Sequence, residues 1–171
     1  MTAVVLSIGS NLGDRLGHLQ SVVDGLGRTV RAVSPVYETD AWGGVEQGPF
    51  LNAVVFAEDP DAAPIDWLRR GQDLEAASGR VREIHWGPRT LDVDVITCRE
   101  DGRQVISADP ELTLPHPYAH RRAFVLIPWL AADPAARLRV SGTDRAVSEL
   151  LGELGRDDRD GVRATDLVLE I

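Results

Sequence analysis

The 171-residue chain has a single cysteine, Cys98, so no internal disulfide can staple it, and no Cys/His cluster has the spacing of a structural zinc site. A reducing compartment follows, and a cytoplasmic location is expected. No apolar run approaches the roughly 18 residues of a membrane-spanning helix, and the opening Met1-Thr2-Ala3 carries no basic stretch of the kind that begins a secretory signal. Positive charge is in deficit, with a formal net charge of -9. Sequence-independent binding of DNA or RNA needs an extended basic surface to displace counterions, and reading of RNA bases needs an aromatic-basic pattern; neither is present. Repeats, low-complexity tracts and linkers are missing as well, so one domain spanning 1–171 is expected. With 43% hydrophobic residues it can bury its own core, and a monomer is expected.

What is present is locally concentrated. Arginines gather at Arg69, Arg70, Arg80, Arg82, Arg89, Arg121 and Arg122, which hints at one anion-binding site on an acidic protein. Residues 3–8 form an apolar run ended by Gly9-Ser10-Asn11-Leu12-Gly13-Asp14, a buried strand and a turn. Leu16, Leu19, Val22, Val23 and Leu26 then recur at helical spacing before Gly27. Residues 29–39 read as a second strand interrupted by Pro35, 40–49 as a long loop and 50–57 as a third strand. After Pro64, Ile65, Leu68, Gln72 and Glu75 fall on one face of a second helix that ends near Gly79. A fourth strand covers 91–96, Asp101-Gly102 suggests a hairpin turn, and helical stretches follow at 124–130 and 147–154. The order is β-α-β-β-α-β, which predicts an α+β fold of ferredoxin-like type: two helices on one face of an antiparallel sheet, the other face free for a site.

Asp92 and Asp94 stand two residues apart on the fourth strand, so their carboxylates leave the same face about 6.6 Å apart at Cα. Two anions that close suit shared divalent cations, and an all-oxygen set with few other donors suits Mg²⁺, which completes its shell with water and phosphate. The same alternation also fits a solvated strand face over inward Leu91, Val93 and Val95.

Trp86-Gly87-Pro88-Arg89-Thr90-Leu91-Asp92-Val93-Asp94 closely resembles the signature W-G-P-R-x-L-D-[LIVM]-D of the 6-hydroxymethyl-7,8-dihydropterin pyrophosphokinases. The likeness extends to Ile8-Gly9-Ser10-Asn11-Leu12-Gly13-Asp14, Phe50-Leu51-Asn52-Ala53-Val54, Arg80-Val81-Arg82, Leu114-Pro115-His116-Pro117 and Phe124-Val125-Leu126, and fades after about Pro134. It implies transfer of the β,γ-diphosphate of ATP to the pterin hydroxymethyl group, with release of AMP, in folate synthesis. It further implies two Mg²⁺ ions on Asp92 and Asp94, and phosphate contacts from Arg80, Arg82, Arg89 and Arg122. Gln72, Glu75 and His116 would line the nucleotide. Asn52 would pair with the pterin edge, Phe50 and Phe124 would sandwich its ring, Thr39 and Trp42 would lie in the segment whose backbone pairs with it, and Asp92 would reach it too. Residues 80–90, with Trp86, are expected to be mobile alone and to close over both substrates. Two other readings fit parts of the pattern: another Mg-dependent phosphotransferase or nucleotidyl transferase, and a non-catalytic ligand-binding domain.

Overall fold

The structure, a computed structural model, describes residues 1–41, 47–79 and 90–171. The first apolar run becomes β1 (Thr2–Ser10), and α1 (Arg15–Leu26) starts at Asp14, whose Oδ1 accepts the Gly17 N–H at 3.0 Å. Helix α1 buries Leu19, Val22, Val23 and Leu26 and stops at Gly27, where φ is 55°.

The expected strand over 29–39 is two strands, β2 (Val30–Val33) and β3 (Tyr37–Thr39), both paired antiparallel with β4 (Phe50–Asp59). Pro35 has no N–H to continue the ladder. Ser34 bridges the break: its N–H donates to the Val54 carbonyl at 2.8 Å, and its Oγ accepts the Val54 N–H at 2.8 Å. The main-chain groups of β4 are thereby satisfied across the gap.

Helix α2 (Pro64–Ala77) leads toward β5 (Asp92–Glu100). Its buried side is Trp67, Gly71 and Glu75, while Gln72 is exposed, so the expected shared face of Ile65, Leu68, Gln72 and Glu75 is rotated. Close approach explains the rotation, because a Cβ at Gly71 would stand 3.0 Å from Val93 Cγ1. After the turn at Asp101 and Gly102 (φ 50° and 81°) come β6 (Arg103–Gln104), the small pair β7 (Ser107–Ala108) and β8 (Thr113–Leu114), and α3 (Ala123–Ala132). The weakly patterned remainder holds the hairpin β9 (Arg137–Val140) and β10 (Thr143–Ala146), then α4 (Val147–Gly152), α5 (Arg156–Asp160) and β11 (Val162–Ala164).

The main sheet runs β11-β3-β4-β1-β5-β6, with β2 also on β4. Its centre, β5-β1-β4-β3 with α1 and α2, is the expected ferredoxin-like α+β arrangement. One core lies between the sheet and these helices and includes Leu6, Ile8, Leu19, Trp67, Leu91 and Val95. At about 1.5–3 kcal/mol per fully buried large side chain, such a core is the main stabilising contribution.

The opposite face was expected to be bare. Instead α3 and α4 cover part of it, and a second core joins Val54 and Ile96 to Leu126, Trp129, Leu138 and Leu150. A bulge makes this possible: Leu6 pairs with Val95 but Val5 with Thr97, which leaves Ile96 to serve the second core while Cys98 returns to the first. Leu169, beyond β11, is buried in the first core, and Gln20 exchanges hydrogen bonds of 2.8 and 3.0 Å with the Glu170 main chain.

Candidate active site

Register alone assembles the site. Gly9 on β1 stands opposite Asp92 on β5 and Asn52 on β4, and Asn52 stands opposite Tyr37 on β3. Ser7 lies between Asp94 and Val54, and Phe50 lies opposite Thr39. Because facing residues in antiparallel strands share a side of the sheet, Asp92, Asp94, Asn52, Phe50 and Thr39 all look toward the side covered by α3. Gly9 keeps this row open, since a Cβ there would meet Asn52 Nδ2 at 2.6 Å.

On the β3–β4 side the wall is buried and polar. Asn52 and Thr39 are each 5% exposed, yet Asn52 Oδ1 and Thr39 Oγ1 have no hydrogen-bond partner among the described residues. The Asn52 amide donates only a long 3.4 Å bond to the Ile8 carbonyl. An unmet buried acceptor costs about 1–3 kcal/mol, so two in one wall point to a ligand that supplies donors.

Charge collects on the β5 side. Arg122, at the start of α3, places its guanidinium 3.5 Å from Asp94 Oδ2 and 5.6 Å from the centre of the Phe124 ring. His116 donates its main-chain N–H to the Ile96 carbonyl at 2.8 Å, and its Nδ1 accepts the Tyr118 N–H at 3.1 Å. Burial, reinforced by the nearby Arg122 and opposed by Asp92, pushes the imidazole down to about 4. The ring is therefore neutral near pH 7, and with Nδ1 accepting, its proton sits on Nε2, available to an anionic acceptor.

Asp92 and Asp94 are partly exposed, and among the described residues no third His, Cys, Asp or Glu joins them in a cluster able to hold a metal. A two-carboxylate, water-accessible donor set fits Mg²⁺, which keeps waters and takes phosphate oxygens as its remaining ligands. Cys98 is no competing ligand: burial, with Glu100 adding, pushes its thiol up to about 11.

Glu75 is 4% exposed and its Oε2 accepts the Val93 N–H at 3.1 Å, so it braces the peptide between the two aspartates. Gln72 lies on the exposed side of α2. Of the residues expected to contribute, Trp42, Arg80, Arg82, Trp86 and Arg89 lie outside the described residues, as does nearly all of the segment expected to close over the substrates. Gly9 is a site residue that the sequence reading passed over as part of a turn. Its signal was a glycine directly after a buried strand, a mark of close approach.

Fold and site together fit an α+β enzyme of phosphoryl or diphosphoryl transfer. The comparisons narrow this. The chain belongs to the 7,8-dihydro-6-hydroxymethylpterin-pyrophosphokinase family, whose model matches residues 5–134. It is 59% identical over 168 residues to the 2-amino-4-hydroxy-6-hydroxymethyldihydropteridine pyrophosphokinase of Mycobacterium tuberculosis, covering 95% of this chain and 89% of that one. With the enzyme of the same name from Mycobacterium leprae it shares 56% identity over 177 residues, covering 100% of this chain and 93% of that one. Among solved structures, an HPPK-DHPS in complex with substrates superposes with a TM-score of 0.62 at 11% identity, which shows the fold; the match covers 88% of this chain and 43% of that longer one.

Proposed function

We propose that the chain transfers the β,γ-diphosphate of ATP to the hydroxymethyl group of 6-hydroxymethyl-7,8-dihydropterin in folate biosynthesis, giving the pterin diphosphate and AMP. The observation that carries this is the adjacency of two unlike half-sites across Gly9: unmet buried acceptors at Asn52 and Thr39, and the Asp92–Asp94–Arg122 group. A flat heterocycle with donor groups on its edge answers the first, and a polyphosphate answers the second.

In this reading Asn52 and Thr39 hold the pterin edge, with Phe50 and Phe124 on its faces and Trp42 and Trp86 completing the pocket. Asp92 and Asp94 would hold the two Mg²⁺ ions, which supply neutralisation of phosphate charge when bound. Arg122 gives its guanidinium fork to phosphate oxygens, as would Arg80, Arg82 and Arg89, and His116 donates from Nε2 on the nucleotide side. Gln72 borders the nucleotide from the exposed side of α2, and Glu75 holds the aspartate strand. The pterin hydroxyl oxygen attacks the β-phosphorus in line, losing its proton as the new O–P bond forms and the bond to the AMP oxygen breaks. This demands positioning and charge compensation and no covalent intermediate.

Residues 1–171 work as one domain in this reading, a cytoplasmic monomer that needs neither nucleic acid nor membrane; β11 and Leu169, which return to the first sheet and core, support the single domain. Among the described residues no helix is long and apolar enough to cross a membrane. The test is incubation with ATP, Mg²⁺ and hydroxymethyldihydropterin, with both products identified. AMP and the pterin diphosphate are expected; ADP, or free pyrophosphate with an adenylylated pterin, would replace diphosphate transfer with another reaction.

A further inference from the structure

Behind Thr39 and Phe50, on the opposite side of the sheet, runs a chain of ion pairs whose far end is carried by β11. Arg163 places Nη1 2.9 Å from Asp40 Oδ1 and Nη2 3.4 Å from Glu38 Oε1. The other Glu38 oxygen lies 3.2 Å from Arg15 Nη1, and the same nitrogen donates to the Pro49 carbonyl at 3.0 Å. Glu38 and Asp40 flank Thr39 in sequence, and Pro49 precedes Phe50. Two neighbours add to the hold: the Asp40 N–H donates to the Gly161 carbonyl at 3.0 Å, and Asn11 Nδ2 donates to Gln47 Oε1 at 2.7 Å and the Gly48 carbonyl at 3.1 Å.

Pairs this exposed are individually weak, and stability does not explain the arrangement. What the network does is geometric. Arg163 and Arg15 grip Glu38 from two sides, so β3 cannot slide along or twist away from β4 without breaking several charge-assisted contacts. All 18 basic residues of the chain are arginine, and at Arg163 the planar fork spans two carboxylates, which an ammonium point charge does less well.

We propose that Arg163 is a positioning residue for the pterin-side wall: by clamping Glu38 and Asp40 from behind, it sets the Thr39 hydroxyl and the Thr39–Phe50 pair at the spacing the substrate ring requires. This rests on the pterin reading above and extends it to a strand beyond residue 134, where the family match stops.

The test compares the whole enzyme with Arg163→Gln and Arg163→Lys. For Arg163→Gln the pterin KM is expected to rise about 3- to 10-fold, while kcat and the ATP KM stay within about twofold and Arg163→Lys falls between. In the absence of substrates, amide exchange across residues 37–41 is expected to quicken in Arg163→Gln. An unchanged pterin KM beside normal wild-type turnover, or an equal rise in both KM values, would overturn the positioning role. So would unchanged exchange, whatever the substrate proves to be. A wild-type enzyme with no pterin turnover sinks the pterin reading instead, so the two failures are distinct. Should Arg163→Gln fold poorly, the same comparisons are made with Arg163→Lys.

Discussion

The two halves of the site are built on opposite principles. On the β3–β4 side, Asn52 and Thr39 are buried with acceptors that nothing in the described protein satisfies. On the β5 side, Asp94 and Arg122 are partly exposed, and their charges already compensate one another. The first half stores an unmet need in a rigid wall and so selects a ligand by shape and hydrogen bonding. The second holds charges that water and each other keep content, so it can exchange partners as a polyphosphate arrives. Selectivity belongs in the part that cannot adapt, chemistry in the part that can.

That contrast can be broken at three points. The largest effect is expected at the charged half: Asp92→Asn should cut turnover by about 10³-fold, several kcal/mol of lost charge compensation, while apo stability shifts by no more than about 1 kcal/mol. Steady-state kinetics at saturating Mg²⁺ beside a thermal melt would check it, and near-normal turnover would remove the metal role.

At the wall the signs should separate. Asn52→Leu is expected to raise apo stability by about 1 kcal/mol, because an unpartnered buried oxygen disappears, yet to weaken pterin binding by about 2 kcal/mol, roughly 30-fold, with ATP binding unchanged. Equal losses for both ligands in titration calorimetry would make Asn52 a packing residue.

The smallest effect concerns His116. Its folded pKa lies below the unfolded value, at about 4 against 6.5, so between these the unfolded chain binds more protons. Stability from this group is complete above about pH 6.5 and is lost as pH falls toward 4, by roughly 1–2 kcal/mol once partial exposure of the ring is allowed for. Denaturant melts of the apo protein across that window should show the slope, and His116→Gln should flatten it.

How much of this could be read from the sequence depended on distance along the chain. Strand β1, helices α1 and α2 and strand β5 follow from local periodicity, and the Asp92/Asp94 pair from a two-residue spacing. The β2–β3 break was legible only as a proline, since nothing local says that the Ser34 hydroxyl will stand in for a missing ladder bond. The bulge at Ile96 hid the second core, because it reverses which side of the sheet the strand pattern assigns. Strand β11 is three residues with no period, and Arg163 meets its partners more than 120 positions away. Asn52 was identifiable as a polar residue in an apolar strand, whereas its dependence on Gly9 needed the β1–β4 register.

The late position of β11 also bears on how the molecule is made. A nascent chain that has emerged through α3 already carries Asp92, Asp94, Asn52 and Arg122, but β3 is still an open edge, with main-chain donors and acceptors free to pair with another chain. That edge closes only when residues 162–164 are added, and Leu169 then seals the core under α1. Translation therefore completes the catalytic face before the strand that protects its border, and ribosomes stalled in the last helices would display a sticky, half-finished sheet.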